Sequence, residues 1–390
     1  MTPATLLARF GSPLYVYDLP LVRTAYRELQ AAFPYPATEF HYAIVCNKNA
    51  AMVRALCDLG AGIHANTPGD AHAAMAAGVA AERIVYSGTN LDAADFAFLL
   101  AHGIRMNLDS LDQLRDLTAQ RGEVPGGAVG LRVLIDDLEQ PNRIGVAPEE
   151  LPEAVAVAAR AGLSIDGLHM YAGTNNRSLA RFGSCLDRMI AASAALPALR
   201  FLNIGGGYGV AYRDGQRPLD LPVLGARVAQ ALQAVSAARD RRITLVVEPG
   251  RTVVARAGTL YATVVSVKQR GGRRYVGVDS TVGNIVVANV YYPHHRLEAV
   301  EPRGEPLEIP TDVCGNTTHS RDYLGRGLRL PALAPGDLVA LRDVGAYGYA
   351  MSSHFLNRPR PAEVVIDGEH VRLTTRRETF ADLLATQVEA

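Results

Sequence analysis

The sequence predicts an α/β fold: a (β/α)8 TIM-type barrel followed by a C-terminal all-β domain. Two observations carry this. Through the middle of the chain, short apolar runs alternate with longer Ala/Leu/Arg-rich stretches of helical spacing. From about residue 255 the texture changes to strand-like runs punctuated by Gly and Pro, the pattern of a separate β domain. A chain of 390 residues is long enough to hold both.

Taken in order, strands are expected at 40–46, 62–65, 84–86, 106–108, 131–135, 167–171, 201–204 and 244–248, with helices between them such as 50–59, 71–77 and 152–161. Eight steps of this kind suit a closed barrel over residues 25–255. Beyond it, the runs Thr-Leu-Tyr-Ala-Thr-Val-Val-Ser-Val, Arg-Tyr-Val-Gly-Val-Asp, Asp-Leu-Val-Ala-Leu-Arg and Ala-Glu-Val-Val-Ile-Asp read as strands of the second domain, residues 256–390.

Composition narrows the function classes. A hydrophobic content of 48% with 20% charged residues describes an ordinary soluble globular chain. Lys+Arg and Asp+Glu both number 39, so the zero net charge argues against nucleic acid or an anionic membrane as partner. No apolar run approaches the ~20 residues of a membrane span. The opening Met-Thr-Pro-Ala-Thr-Leu-Leu-Ala-Arg-Phe lacks a basic flank and a cleavage site, so no signal peptide is expected. Cys46, Cys57, Cys185 and Cys314 are scattered without metal-type spacing and read as reduced thiols of a cytoplasmic protein.

Several residues carry chemistry. Gly205, Gly206 and Gly207 follow an apolar run, where backbone N–H groups can approach a phosphate closely; a plain βα turn is the alternative. Glu248 ends an apolar strand, a costly place for an unpaired carboxylate. His64, His169 and His319 lack i,i+4 or Cys/His spacing, so they read as polar liners and no metal is expected. Arg132 lies on a strand and is the better candidate for substrate contact; Arg143 sits in a looser stretch, and either can be a structural ion pair. His294 and His295 read as surface residues.

The order of motifs resembles one family. Tyr42-Ala43-Ile44-Val45-Cys46-Asn47-Lys48-Asn49 is similar to the Tyr-Ala-x-Lys-x-Asn-x-Asn strand of the fold-type III, alanine-racemase-like pyridoxal-phosphate (PLP) decarboxylases, chiefly those of diaminopimelate and ornithine. Gly11-Ser12-Pro13-Leu14-Tyr15-Val16-Tyr17-Asp18, Asn107-Leu108-Asp109-Ser110, Gly205-Gly206-Gly207, Glu248-Pro249-Gly250-Arg251, Gly345-Ala346-Tyr347 and Arg360-Pro361-Ala362-Glu363 follow in the family's order. The resemblance implies that residues 1–24 join the β domain and that a homodimer completes the site. It assigns phosphate contacts to Gly205, Gly206, Gly207, Gly250, Arg251, Tyr347 and Thr174, the pyridine nitrogen to Glu248, and ring stacking to Tyr171, which stands where the family has His.

The departures fall on the reacting groups. The family's lysine forms the Schiff base; here its position is Val45, which has no nitrogen. His64 replaces a family Asp. Thr318 and His319 stand where the decarboxylases carry a catalytic Cys and an acid, while Asp322 matches a second acid that meets the substrate's distal amine across the dimer. Cys314 is a strand residue four positions earlier than Thr318, not the catalytic thiol. Lys48 lies three residues beyond Val45, where strand alternation points it the other way. The catalytic set expected is therefore His64, His169, Thr318, His319 and Asp322. Three readings stand open: an amino-acid enzyme with non-covalent PLP, a cofactor-independent enzyme reusing the phosphate cup, and a non-catalytic, decarboxylase-like ligand-binding or regulatory protein.

Overall fold

The computed structural model describes residues 1–120, 122–135, 142–287 and 295–388. It divides into two compact units, one of Arg23–Val210 with Arg217–Thr252, the other of Met1–Val22, Ala211–Gln216 and Val253–Ala390.

The first unit is the barrel. Its strands are β2 (Thr38–Ala43), β3 (Gly62–Ala65), β4 (Ile84–Tyr86), β5 (Arg105–Leu108), β6 (Ala128–Arg132), β7 (Ser164–His169), β8 (Phe201–Asn203) and β9 (Thr244–Val247), after β1 (Leu14–Asp18) of the other unit. Neighbours pair in parallel and β9 closes on β2. Strands covered on both sides need apolar residues at successive positions, which is why they read as unbroken runs. Because all eight run the same way, residues just after β2, β3, β7, β8 and β9 share one rim.

Side-chain caps fix where the helices begin. The Thr67 hydroxyl accepts from the Asp70 N–H, Ser110 from Gln113, and Ser178 from Arg181, each cap worth about 1 kcal/mol. The expected strands at 131–135 and 167–171 sit earlier, at Ala128–Arg132 and Ser164–His169. The apolar runs continue into the loops, so the period alone overshoots the last paired residue. The largest shift of meaning is at 40–46. The strand stops at Ala43, and Ile44–Cys46 is a turn of 3-10 helix.

Among the described residues, the second unit is built on a nine-stranded sheet. β1 lies inside it, antiparallel to β10 (Gly258–Arg270) and parallel to the strand Ala362–Asp367. The N-terminal segment therefore belongs to the β unit by direct pairing. His294 lies outside the described residues. His295 is not on the surface: it is 7% exposed, with its Nδ1 3.1 Å from the Arg342 carbonyl.

Candidate active site at the C-terminal rim of the barrel

Three side chains hold the loop after β2. The Tyr42 hydroxyl, fully buried, donates to the Asn47 carbonyl at 2.9 Å. The Asn47 side chain accepts from the Asn49 N–H, and Asn49 caps the helix Ala50–Cys57 through the Ala51 N–H. The Ala43 N–H donates to the Pro249 carbonyl at 2.9 Å, tying this loop to the one after β9. Tyr42, Asn47 and Asn49 thus hold the turn whatever residue stands at 45. Val45 is 38% exposed on that turn.

Glu248 is the centre of the rim. Its carboxylate is 3% exposed and is clasped from two strands. His169 Nε2 lies 3.1 Å from Oε2, and the Asn203 amide donates to Oε1 at 2.7 Å. His64 Nε2 stands 3.5 Å from Oε2. Burial alone would raise the carboxyl pKa. The facing His64 and His169, with the hydrogen bonds from His169 and Asn203, outweigh it and hold Glu248 below the usual carboxylate range. Burial pushes His64 down to about 4, against the opposing pull of Glu248. With His64 neutral near pH 7, His169 and Asn203 are the groups left to stabilise the ionised carboxylate. His169 must then present its Nε2 proton to that oxygen.

Around Glu248 the backbone crowds closely. The Glu248 N–H donates to the Gly205 carbonyl at 2.8 Å, and the Asn203 side chain accepts from the Gly205 N–H at 2.8 Å. A Cβ on Gly206 would collide with the Glu248 carbonyl, one on Gly207 with the Gly173 carbonyl, and one on Gly250 with Cys46 Sγ. Gly205 and Gly207 hold φ of +65° and +81°, the left-handed region glycine favours. Tyr171 packs at this edge. Its hydroxyl lies 2.9 Å from the Thr174 hydroxyl, and the Arg132 guanidinium stands 5.6 Å from its ring centre. Arg132 ends β6 in register with His169, while Arg143 is exposed. Burial raises the Tyr171 phenol pKa, so it stays protonated.

The barrel unit therefore gathers His64, His169, Arg132, Tyr171, Thr174, Gly205, Gly206, Gly207, Glu248, Gly250 and Arg251. Thr318, His319, Asp322 and Tyr347 belong to the β unit. There, Thr318 and His319 are exposed, and His319 meets Phe355 edge-on at 5.3 Å. Tyr347 is half-buried with φ +63°, a strained conformation for a bulky residue that marks it for attention. Asp322 is held by its own unit. It is 4% exposed and accepts from the Thr281 hydroxyl and from the Val282 and Thr317 N–H groups. Its carboxylate organises its own domain. Among the described residues no group of three or more His, Cys, Asp or Glu is placed to hold a metal.

Sequence reasoning missed Asn203. An amide two residues before the glycine triplet was the available signal, hidden because a three-residue strand reads as simply apolar. Lys48 lies beyond the strand, so strand alternation does not set its direction. It is exposed and within electrostatic reach of Asp70, on the side of the helix Pro68–Ala76. The chain has only two lysines, Lys48 and Lys268, and Lys268 is on β10 of the other unit.

Residues 19–255 match the family described as pyridoxal-dependent decarboxylase, pyridoxal binding domain. The chain belongs to the pyridoxal-dependent decarboxylase family. It is 32% identical to a diaminopimelate decarboxylase of Methanothermobacter thermautotrophicus, over 98% of this chain and 93% of that one. It is 31% identical to the Neisseria meningitidis diaminopimelate decarboxylase, over 98% and 96%. A crystal structure of the Helicobacter pylori diaminopimelate decarboxylase complexed with L-lysine superposes with a TM-score of 0.88 at 26% identity, covering 98% of each chain. Membership places the chain among amino-acid lyases whose cofactor is PLP.

The rim fits that cofactor in part. Glu248 spends two of its roughly four acceptor positions on His169 and Asn203. His64 Nδ1 and His169 Nδ1 are buried without a hydrogen-bond partner, as polar atoms awaiting a ligand would be. Val45 has no amine and cannot itself form a Schiff base.

Proposed function

We propose that this chain is a PLP-decarboxylase-type enzyme of amino-acid metabolism that holds its cofactor without a covalent bond and handles protons with histidines. The observation that carries the reading is a buried Glu248–His169–Asn203 clasp retained on a rim whose lysine position is Val45. When bound, PLP supplies an electron sink.

The chain's own residues do the rest. Glu248 offers a buried, ionised carboxylate to a protonated ring nitrogen. Tyr171, fixed by Thr174, offers a flat face. Gly205, Gly206, Gly207, Gly250 and Arg251, with Tyr347, serve the phosphate. Arg132 orients a substrate carboxylate. His64, neutral near pH 7, accepts a proton, and His169 holds one at Nε2. Thr318 has no thiol for a proton, and His319 has no carboxylate for a distal ammonium, so the substrate differs from diaminopimelate at its far end. A second copy of the chain completes the site through Thr318, His319 and Asp322.

The test is carbon dioxide release from a panel of amino acids with protein and PLP, against PLP alone. Glu248→Gln should abolish any enhancement. No enhancement for any amino acid by the wild-type protein sinks the catalytic reading.

A further inference from the structure

A TIM barrel is ordinarily plugged along its axis by layers of Val, Ile and Leu. This one is polar. Glycine at 62, 130 and 167 leaves room that neighbouring strands fill with the His41 ring, the Asn107 amide and the Phe201 ring respectively. A Cβ on Gly62 would stand 2.6 Å from His41 Nδ1. Beneath these groups, at the N-terminal end, a cavity of about 590 Å3 opens between the strands. Glu39, Arg105, Asn107, Asp166, Phe201 and Asn203 are among its walls. Asn203 is the residue that donates to Glu248. The cavity therefore reaches within one side chain of the reacting carboxylate, from the end opposite the rim.

A line of titratable groups follows the same direction. Glu39 lines the cavity, and its Oε2 lies 3.3 Å from His41 Nε2. His41 is two residues on along β2, on the same face. The β2–β3 register sets His41 beside Gly62, so the next residue on that face of β3 is His64. His64 stands 3.5 Å from Glu248. His41 and His64 are 4% and 6% exposed, and His41 Nδ1 with both His64 nitrogens lack a hydrogen-bond partner. A core histidine kept only for packing would satisfy its nitrogens. Here the unsatisfied atoms belong to rings on the same face of adjacent strands, with His41 within electrostatic reach of His64.

We propose that protons reach the Glu248 cluster through the bottom of the barrel, with His41 as the relay residue between Glu39 and His64. A proton from solvent protonates Glu39 and passes to His41 Nε2. His41 releases its Nδ1 proton through a bridging water to His64, since the two rings share no direct hydrogen bond, and His64 passes one on to Glu248 or to a ligand group on it. Each delivery moves one proton and leaves both imidazoles neutral but in the other tautomer; a proton returning along the same path, or a flip of each ring, restores them. The charged and titratable groups facing this line are Glu248, His169 and Arg132 around His64, and Arg105, 3.8 Å from Glu39, at the lower end. With Val at position 45, the route leaves the site's proton traffic to buried imidazoles. It rests on Glu248 marking the reacting centre.

The test needs no ligand and no turnover, so it can fail while the decarboxylase reading stands, and the reverse. Protein labelled with 15N-histidine is examined by NMR, and exchange of the His169 Nε2 proton with water is measured by saturation transfer. His41→Phe keeps a ring over Gly62 and removes both nitrogens; exchange should slow by about tenfold or more. His41→Gln, which keeps a partner for Glu39 but does not relay, should slow it equally. Ala128→Phe, filling the cavity from β6, should slow it with His41 intact. Folding is checked by the melting temperature, which His41→Phe should leave unchanged or raise. If the folded variants exchange at the wild-type rate, protons come from the rim and the relay is wrong. If only His41→Phe slows exchange while His41→Gln and Ala128→Phe do not, the effect is local packing and the relay is equally overturned.

Discussion

His64→Gln tests whether the cluster at the rim is built as described. In the folded chain burial holds His64 near pKa 4, against an ordinary value of 6.5. Between those values the unfolded chain binds a proton that the folded chain refuses. Stability is thus fully present above pH 6.5 and is lost as the pH falls from there toward 4. From about pH 7.5 to about pH 5 the loss amounts to about 2 kcal/mol. That figure changes little if the folded value moves by a unit, because most of the titration belongs to the unfolded chain. Glu248 contributes little in this window, since its unfolded value of 4.5 lies below it and its folded value lower still. The chain has no Trp, so urea unfolding is followed by far-UV circular dichroism. Relative to the wild type, His64→Gln should gain about 2 kcal/mol between the two pH values. Parallel pH profiles for the two proteins would refute the burial argument, and with it the neutral His64 near pH 7.

Val45→Lys should give a borohydride-reducible adduct with PLP absorbing near ~420 nm; a folded variant that binds no PLP shows a pocket rebuilt for another ligand. Thr318→Cys should raise decarboxylation more when combined with Val45→Lys than when made alone, and simple additivity in the rates argues that the two do not act as a unit. Gly206→Ala drives a methyl into the Glu248 carbonyl, so it should cost about 1–3 kcal/mol and weaken PLP binding in titration. Asp322→Ala strands the groups that Asp322 now accepts from and should cost about 3 kcal/mol in a melt; an unchanged melt with altered substrate dependence would return Asp322 to a substrate role.

The barrel was legible because parallel strands buried on both faces leave continuous apolar runs, and the β unit because its Gly and Pro punctuation differs. Strand ends were less so. Ile44, Met170 and Ile204 stay apolar after the last paired residue, so the pattern ran into the loops that build the site. The position of Val45 on a turn, not a strand, follows from that. Motif order located Glu248 and the glycine triplet but said nothing of what each side chain meets. Asp322 matches a substrate-contacting acid by position, but position does not show that the fold also hangs Thr281, Val282 and Thr317 on its carboxylate, forty residues or a turn away in sequence. The meeting of Asn203 with Glu248, and the placing of His41 and His64 on one face of adjacent strands, arise from strand register, which is long-range information that no local pattern carries.

The most direct test of non-covalent cofactor holding is one preparation measured two ways. The wild-type protein is incubated with PLP, freed of excess by gel filtration, and split. One half is scanned in the visible range; the other is treated with borohydride, denatured and weighed intact. The account predicts a retained chromophore near ~390 nm, as for free aldehyde, and an unchanged polypeptide mass after borohydride. Retention of no chromophore would contradict it, and so would a reduced pyridoxyl adduct mapping to Lys48.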